Sequence, residues 1–149
     1  MILPKDLLEE VLLSAEKEYP HECCGFLLRS QKERAQFRHV RVRNAQDDLH
    51  ARDPVSFPRT ARTAYAMDSI DLLRVHKELR ERCEDIVAIY HSHPEQDAFF
   101  SLEDQRLALG DQDEPVYAKA RYLVVSVRMG RAVNWKFFHW DLESKEFKE

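Results

Sequence analysis

The sequence predicts a mixed α/β fold, and three observations carry that expectation. Ile86-Val87-Ala88-Ile89-Tyr90 is an uninterrupted apolar run of strand length, as expected of a central strand buried on both faces. Leu8, Val11, Leu12 and Ala15 recur at helical spacing, and so do Leu72, Val75, His76, Leu79 and Cys83. Ala120 to Val127 sets Tyr122, Val124 and Ser126 against Leu123, Val125 and Val127, the alternation of a strand. At 149 residues the chain is expected to form one domain, 1–149, around a single core.

The first helix is expected from Pro4, near its first turn, to no later than Tyr19, with Glu9 and Glu10 on the solvated face. Cys23 to Arg29 reads as a buried strand and Gln36 to Arg43 as a half-exposed one, joined as a hairpin through Ser30 to Arg34. Phe37, Val40 and Val42 alternate imperfectly with Arg38, Arg41 and Arg43, which predicts an early register break. Those arginines are expected to face water rather than to form a binding patch.

Asn44 to Arg62 is interrupted by Asp47, Asp48, Asp53, Pro54 and Pro58 and is expected to be a long loop, with His50 incidental within it. Thr63 to Met67 reads as a short strand. Asp68 or Ser69 then caps a helix over Ile70 to Arg82, on which His76 sits at the core edge. A further helix begins near Ser101 and runs to Gly110, and Asp111 to Pro115 is an acidic linker. Met129-Gly130 turns the chain into an aromatic strand, Ala132 to Trp140, whose rings are expected to cover the sheet. Glu143 to Glu149 is expected to be a frayed or loosely paired tail.

Composition excludes several classes. A net charge of −4 gives no basic face for nucleic acid. No apolar run approaches the ~18 residues of a membrane span, and the N-terminus lacks a signal-peptide core. Three cysteines, Cys23 and Cys24 adjacent, make no disulfide framework, which fits a reducing cytoplasm. The pair is expected to be buried as small hydrophobes, since no Cys-x-x-Cys spacing accompanies it. Three glycines are too few for a phosphate-cradling loop.

The chemistry concentrates in Tyr90-His91-Ser92-His93-Pro94 and Ser101-Leu102-Glu103-Asp104. On an extended strand His91 and His93 point the same way and Ser92 the opposite way, so two imidazoles share one face. Pro94 stops the strand because it has no N–H to donate. The loop to Ser101 is long enough to return Asp104 to the histidines as an oxygen ligand. Two histidines and a carboxylate leave one tetrahedral position of zinc open, the arrangement of a hydrolytic site. Ser101 and Asp104 also have the spacing of a helix capping box, which is compatible with a ligand role.

His-x-His, seven residues, Ser, two residues, Asp resembles the signature of the JAMM (MPN-plus) metalloproteases, and Pro20-His21-Glu22-Cys23-Cys24-Gly25 resembles their upstream Glu-x-Cys-Gly. The resemblance covers nearly the whole chain; Arg29 departs from it, standing where the family often has glycine. It implies an MPN-like domain, a central mixed sheet flanked by helices, similar to the cytidine-deaminase architecture. It further implies one zinc on His91, His93 and Asp104, Glu22 as general base and Ser101 as oxyanion donor. Glu22 is preferred to Glu95 and Glu103 as the base; Glu103 is at most a group that orients a ligand.

The implied substrate is the Gly-Gly tail of a ubiquitin-like protein, cut by an isopeptidase or peptidase. A compact, stand-alone chain is similar to prokaryotic members that process sulfur carriers, and the 44–62 segment is a candidate groove wall. The alternative is a non-catalytic MPN-type interaction scaffold, against which the intact motif stands. A zinc nucleobase deaminase would need His-x-Glu and Pro-Cys-x-x-Cys, and neither occurs.

Overall fold

The computed structural model describes residues 2–111 and 113–149; Met1 and Gln112, the latter within the expected acidic linker, lie outside the described residues. The elements are α1 (Lys5–Glu18), β1 (Cys24–Ser30), β2 (Phe37–Val42), α2 (Gln46–Arg52), α3 (Ser69–Arg82), β3 (Glu84–Pro94), α4 (Leu102–Leu109), β4 (Arg121–Arg128), β5 (Arg131–Asp141) and β6 (Glu146–Lys148). The sheet order is β2-β1-β3-β4-β5-β6. Only β3 and β4 pair in parallel, and every other neighbouring pair is antiparallel. A parallel pair needs a crossover, and here that crossover carries α4 past the end of β3.

The apolar run 86–90 is central because both its faces are covered. On one side Leu7, Val11 and Ala15 of α1 pack on Leu27, Ala88, Tyr90, Leu123 and Val125. On the other, Val75 of α3 and Phe100 pack with Phe26, Leu28, Ile89, Tyr122 and Val124. The buried stripe of α1 is therefore centred on Leu7, Val11 and Ala15, with Leu8 and Leu12 at its margin. Asp68 caps α3 by accepting from Asp71 N at 3.1 Å. Its neighbour on the core edge, His76, bonds the Tyr117 hydroxyl at 2.9 Å.

Several expectations are corrected. The β1–β2 register runs unbroken from Cys24↔Val42 to Arg29↔Phe37, and the irregularity lies instead between Leu27 and Leu28 where β1 meets β3. Arg29, the residue that departs from the family pattern, simply continues the strand. The 44–62 segment contains the helix α2, missed because the helix is a single short stretch with Asp47 and Asp48 in its first turn and Asp53 and Pro54 directly after it. Residues 63–67 form no strand; Met67 makes one isolated bridge to Asn44. Of the two readings of the C-terminal tail, the paired one holds: it forms β6, because Phe147 packs on Phe100, Tyr122 and Trp140 with centroids 4.9, 5.3 and 4.9 Å away.

Arg38 bonds Glu78 and Glu84, Arg41 bonds Glu18, and Arg43 bonds Asp48 and Asp68, so the arginines of the β2 region are ion-paired rather than a free basic patch. Among the described residues no helix is long and apolar enough to cross a membrane.

Gly25 marks the closest approach of strands beside the site. A Cβ there would overlap the Val40 carbonyl oxygen and lie 2.6 Å from the Tyr90 hydroxyl, two groups fixed in the sheet. Gly25→Ala is therefore expected to lower stability by ~3 kcal/mol through overpacking, read as a lower urea midpoint at unchanged slope.

Candidate active site

The C-terminal half of β3 carries His91 and His93, both buried, between β1 on one side and β4 on the other. Ser92 accepts from Cys23 N at 2.8 Å, which locks the strand end against the start of β1. Ser101 caps α4 by accepting from Asp104 N at 3.1 Å, while Asp104 Oδ2 accepts from Ser101 N at 2.9 Å. The capping box thus aims that oxygen. It lies 3.2 Å from His91 Nε2 and 3.3 Å from His93 Nε2, and the two ring nitrogens are 3.1 Å apart.

These separations suit a metal. Corners of a tetrahedron with ligand bonds of ~2.0–2.1 Å stand ~3.3 Å apart. The donor chemistry agrees. His93 Nδ1 lies 3.0 Å from the Asp97 carbonyl oxygen, which can only accept, so Nδ1 carries the hydrogen and a neutral ring presents a bare lone pair at Nε2. Burial lowers the pKa of His91 despite the nearby Asp104 charge, favouring its neutral form. Burial would raise the Asp104 carboxyl, but His91, His93 and Ser101 outweigh it and hold the group far below the usual carboxylate range. Lone pairs from three sides therefore face a common point, and a cation there removes their repulsion. His91, His93 and Asp104 form a group able to hold a metal ion.

Glu22 enters from the segment preceding β1. Its N–H donates to Ala61 O at 2.7 Å and its carbonyl accepts from Asn44 Nδ2 at 3.0 Å, so the 44–62 segment fixes its backbone. The side chain is buried and Oε2 has no partner. Burial first, then the charges of Asp104 and Glu103, raise its pKa to about 9, against a smaller opposing pull from Arg59. The five residues singled out by the motif are thus placed as three converging donor atoms able to hold a metal, the cap that orients one of them, and a buried carboxyl within reach of the Asp104 field.

The remaining residues singled out in the sequence are placed as follows. Glu103 pairs with Arg59 at 3.1 Å and orients no ligand. Glu95 accepts from the Tyr19 hydroxyl and Met129 N, each at 2.7 Å. His50 bonds Phe57 O at 2.7 Å within its own loop. Cys23 and Cys24 are buried, and burial pushes the Cys23 thiol up to about 12 and that of Cys24 well above its ordinary value, which leaves both unreactive.

Sequence reasoning missed the groups that hold the histidine rings. Tyr65 stacks on His91 with centroids 4.6 Å apart, and Phe99 meets His93 edge-on at 5.0 Å. A lone tyrosine in an irregular segment gives no signal, and a backbone carbonyl such as that of Asp97 gives none at all.

Comparison with known proteins identifies the family. A family model described as prokaryotic homologs of the JAB domain matches residues 4–141. The chain belongs to this family. Among JAB-domain relatives, the CysO-cysteine peptidases of Mycobacterium tuberculosis and Mycobacterium bovis are 30% identical over 128 residues, covering 86% of this chain and 74% of theirs. A solution structure from Desulfitobacterium hafniense matches with a TM-score of 0.64 at 25% identity, over 93% of this chain and 83% of that one. One from Salinibacter ruber matches at 0.60 and 22% identity, over 99% and 87% respectively, and shares the fold.

The raised pKa of Glu22 has a consequence for stability. Between its ordinary value of 4.5 and about 9, the metal-free folded state keeps a proton that the unfolded chain has released. Stability therefore falls as pH rises through that window, by on the order of 3 kcal/mol at pH 7. In metal-free protein Glu22→Gln should raise the melting temperature at pH 7.5 and leave it nearly unchanged at pH 4.5. Calorimetry across that range reads the difference.

Proposed function

We propose that residues 1–149 form one JAB domain acting as a zinc-dependent peptidase in the cytoplasm. It hydrolyses the amide bond after the C-terminal Gly-Gly of a ubiquitin-like sulfur-carrier protein. One observation carries the reading: a buried, unpartnered Glu22 carboxyl stands beside the convergence of His91 Nε2, His93 Nε2 and Asp104 Oδ2. A scaffold has no use for such an arrangement, since an unpaired buried carboxyl destabilises the fold it sits in. The 30% identical relatives, which are named peptidases of a carrier–cysteine adduct, support the substrate class.

A zinc ion on the three ligands would supply Lewis acidity, making water nucleophilic near neutral pH and polarising the scissile carbonyl. The chain's own groups do the rest. Glu22 takes the proton of the attacking water and hands it to the leaving nitrogen as the C–N bond breaks, leaving a carboxylic acid and an amine. Ser101 spends a lone pair on Asp104 N, so its hydroxyl hydrogen is free to donate to the oxygen that gains charge during attack. A Gly-Gly tail has no side chains and suits a narrow groove, and the 44–62 segment, tied to α4 by the Arg59–Glu103 ion pair, is the candidate wall of such a groove.

The deciding measurement is metal content followed by turnover. The wild type should retain about one zinc per chain after desalting, and His93→Ala should retain essentially none while staying folded. Glu22→Gln should keep the metal and lose turnover of a carrier extended past Gly-Gly; full activity in that variant would sink the assignment of the base. Ser101→Ala should lower kcat by ~100-fold and also cost ~1 kcal/mol of stability through the lost cap, which separates its two roles.

A further inference from the structure

His93 presents a bare Nε2 only while its hydrogen stays on Nδ1, and the Asp97 carbonyl oxygen, 3.0 Å away, is the group that holds it there. The same oxygen accepts from Phe99 N at 3.0 Å. Packing does little to place it. Glu95, Gln96 and Asp97 are all exposed, and the next buried residue is Ala98. Glu95 also has φ 59°, a left-handed conformation that a non-glycine residue keeps only when its surroundings enforce it.

The enforcement comes mainly from the end of β4. Val127 O accepts from Glu95 N at 2.7 Å, and Glu95 Oε1 accepts from Met129 N at 2.7 Å. Arg128 donates through Nη1 to Glu95 O at 3.3 Å and through Nη2 to Asp97 Oδ1 at 2.7 Å. One guanidinium thus grips both ends of the turn. Between those ends Ser126 Oγ donates to Gln96 O. Ser126 is a buried hydroxyl among the buried apolar side chains of β4, and it is the register partner of His93. Partners on adjacent strands project to the same face, so Ser126 stands beside the ring. Its hydrogen is nevertheless spent on the loop.

We propose that Ser126 and Arg128 are positioning residues of the metal site. They hold the Glu95–Asp97 turn so that Asp97 O keeps the hydrogen of His93 on Nδ1 and leaves Nε2 to face a cation. This rests on the metal-dependent reading above and extends it to β4, a strand that supplies no ligand. Asp104 is oriented by its own helix cap and His91 by its own neighbours, so neither depends on the turn. Loss of Ser126 or Arg128 therefore weakens metal binding, whereas loss of His93 abolishes it.

The test compares Ser126→Ala and Arg128→Ala with the wild type. Arg38→Ala serves as a control, since it breaks ion pairs to Glu78 and to Glu84, the first residue of β3 at the end away from the site. In metal-free protein at pH 8, long-range ¹H–¹⁵N correlation spectra tell the two tautomers of His93 apart. The wild type and Arg38→Ala should carry the hydrogen on Nδ1, and the two β4 variants should carry a substantial share on Nε2. Competition with a chromophoric chelator should show zinc bound ~10–100-fold more weakly by both β4 variants, and unchanged by Arg38→Ala. A merely structural role predicts otherwise: a lower urea midpoint with the wild-type tautomer and wild-type zinc affinity would overturn the proposal. So would a wild-type His93 protonated on Nε2. Should Ser126→Ala not fold, Arg128→Ala decides, because its side chain is exposed. A wild type that binds zinc no better than its variants sinks this inference alone. A wild type that binds no zinc at all refutes the metal-dependent reading and takes this inference with it.

Discussion

One oxygen atom carries two tasks on which the site depends. Asp104 Oδ2 closes the capping box of α4 by accepting from Ser101 N, and the same atom faces the ring nitrogens of His91 and His93. A carboxylate on a free loop would have several rotamers and would move away from two buried imidazoles. The cap removes that freedom at the first turn of a helix, where the helix dipole also favours negative charge. Helix initiation and ligand orientation are thus a single interaction, and neither can be altered alone.

The sheet supplies the other half of the constraint. β3 is paired on both edges, antiparallel to β1 and parallel to β4, so its backbone is held along the length that presents the histidines. The parallel pair forces the chain to leave β3 and return through a crossover. The first helical turn of that crossover passes the end of the strand it has just left. The chain order strand, loop, helix, strand therefore brings Asp104 to His91 and His93 without a long-range coincidence. Glu22 arrives from the other edge, at the start of β1, because β1 runs antiparallel to β3 and begins where β3 ends.

Such a site works against the stability of the fold that holds it. Glu22 is a buried carboxyl with an oxygen that bonds nothing, its ionised form disfavoured by burial and by the charge of Asp104. Three donor atoms with lone pairs turned toward each other are a second unfavourable feature in metal-free protein. Both are offset by the contacts around them: Tyr65 and Phe100 against His91, Phe99 against His93, and Asn44 and Ala61 clamping the Glu22 backbone. The reactive groups are few, and each is held by neighbours with ordinary hydrogen bonds and contacts.

How much of this was legible before any coordinates follows from the range of each interaction. Periodicity is local, so the helices α1 and α3, the buried run of β3 and the strand β4 could be read from their own residues. The spacing of His91, His93, Ser101 and Asp104 is also local, because a strand, a loop and a helical turn fix their approach within one stretch of chain. Whether the tail frays or pairs stayed open in the sequence, because Phe147 gains its place largely from Phe100 and Tyr122, which lie far away in sequence. The same holds for Tyr65 on His91, for the Asp97 carbonyl that sets the His93 tautomer, and for the shift of Glu22. The sequence by itself determined which side chains stand on β3 and at the head of α4. Only the tertiary structure decided what surrounds them, since burial, stacking and the local field are made by residues brought together from separate strands and loops.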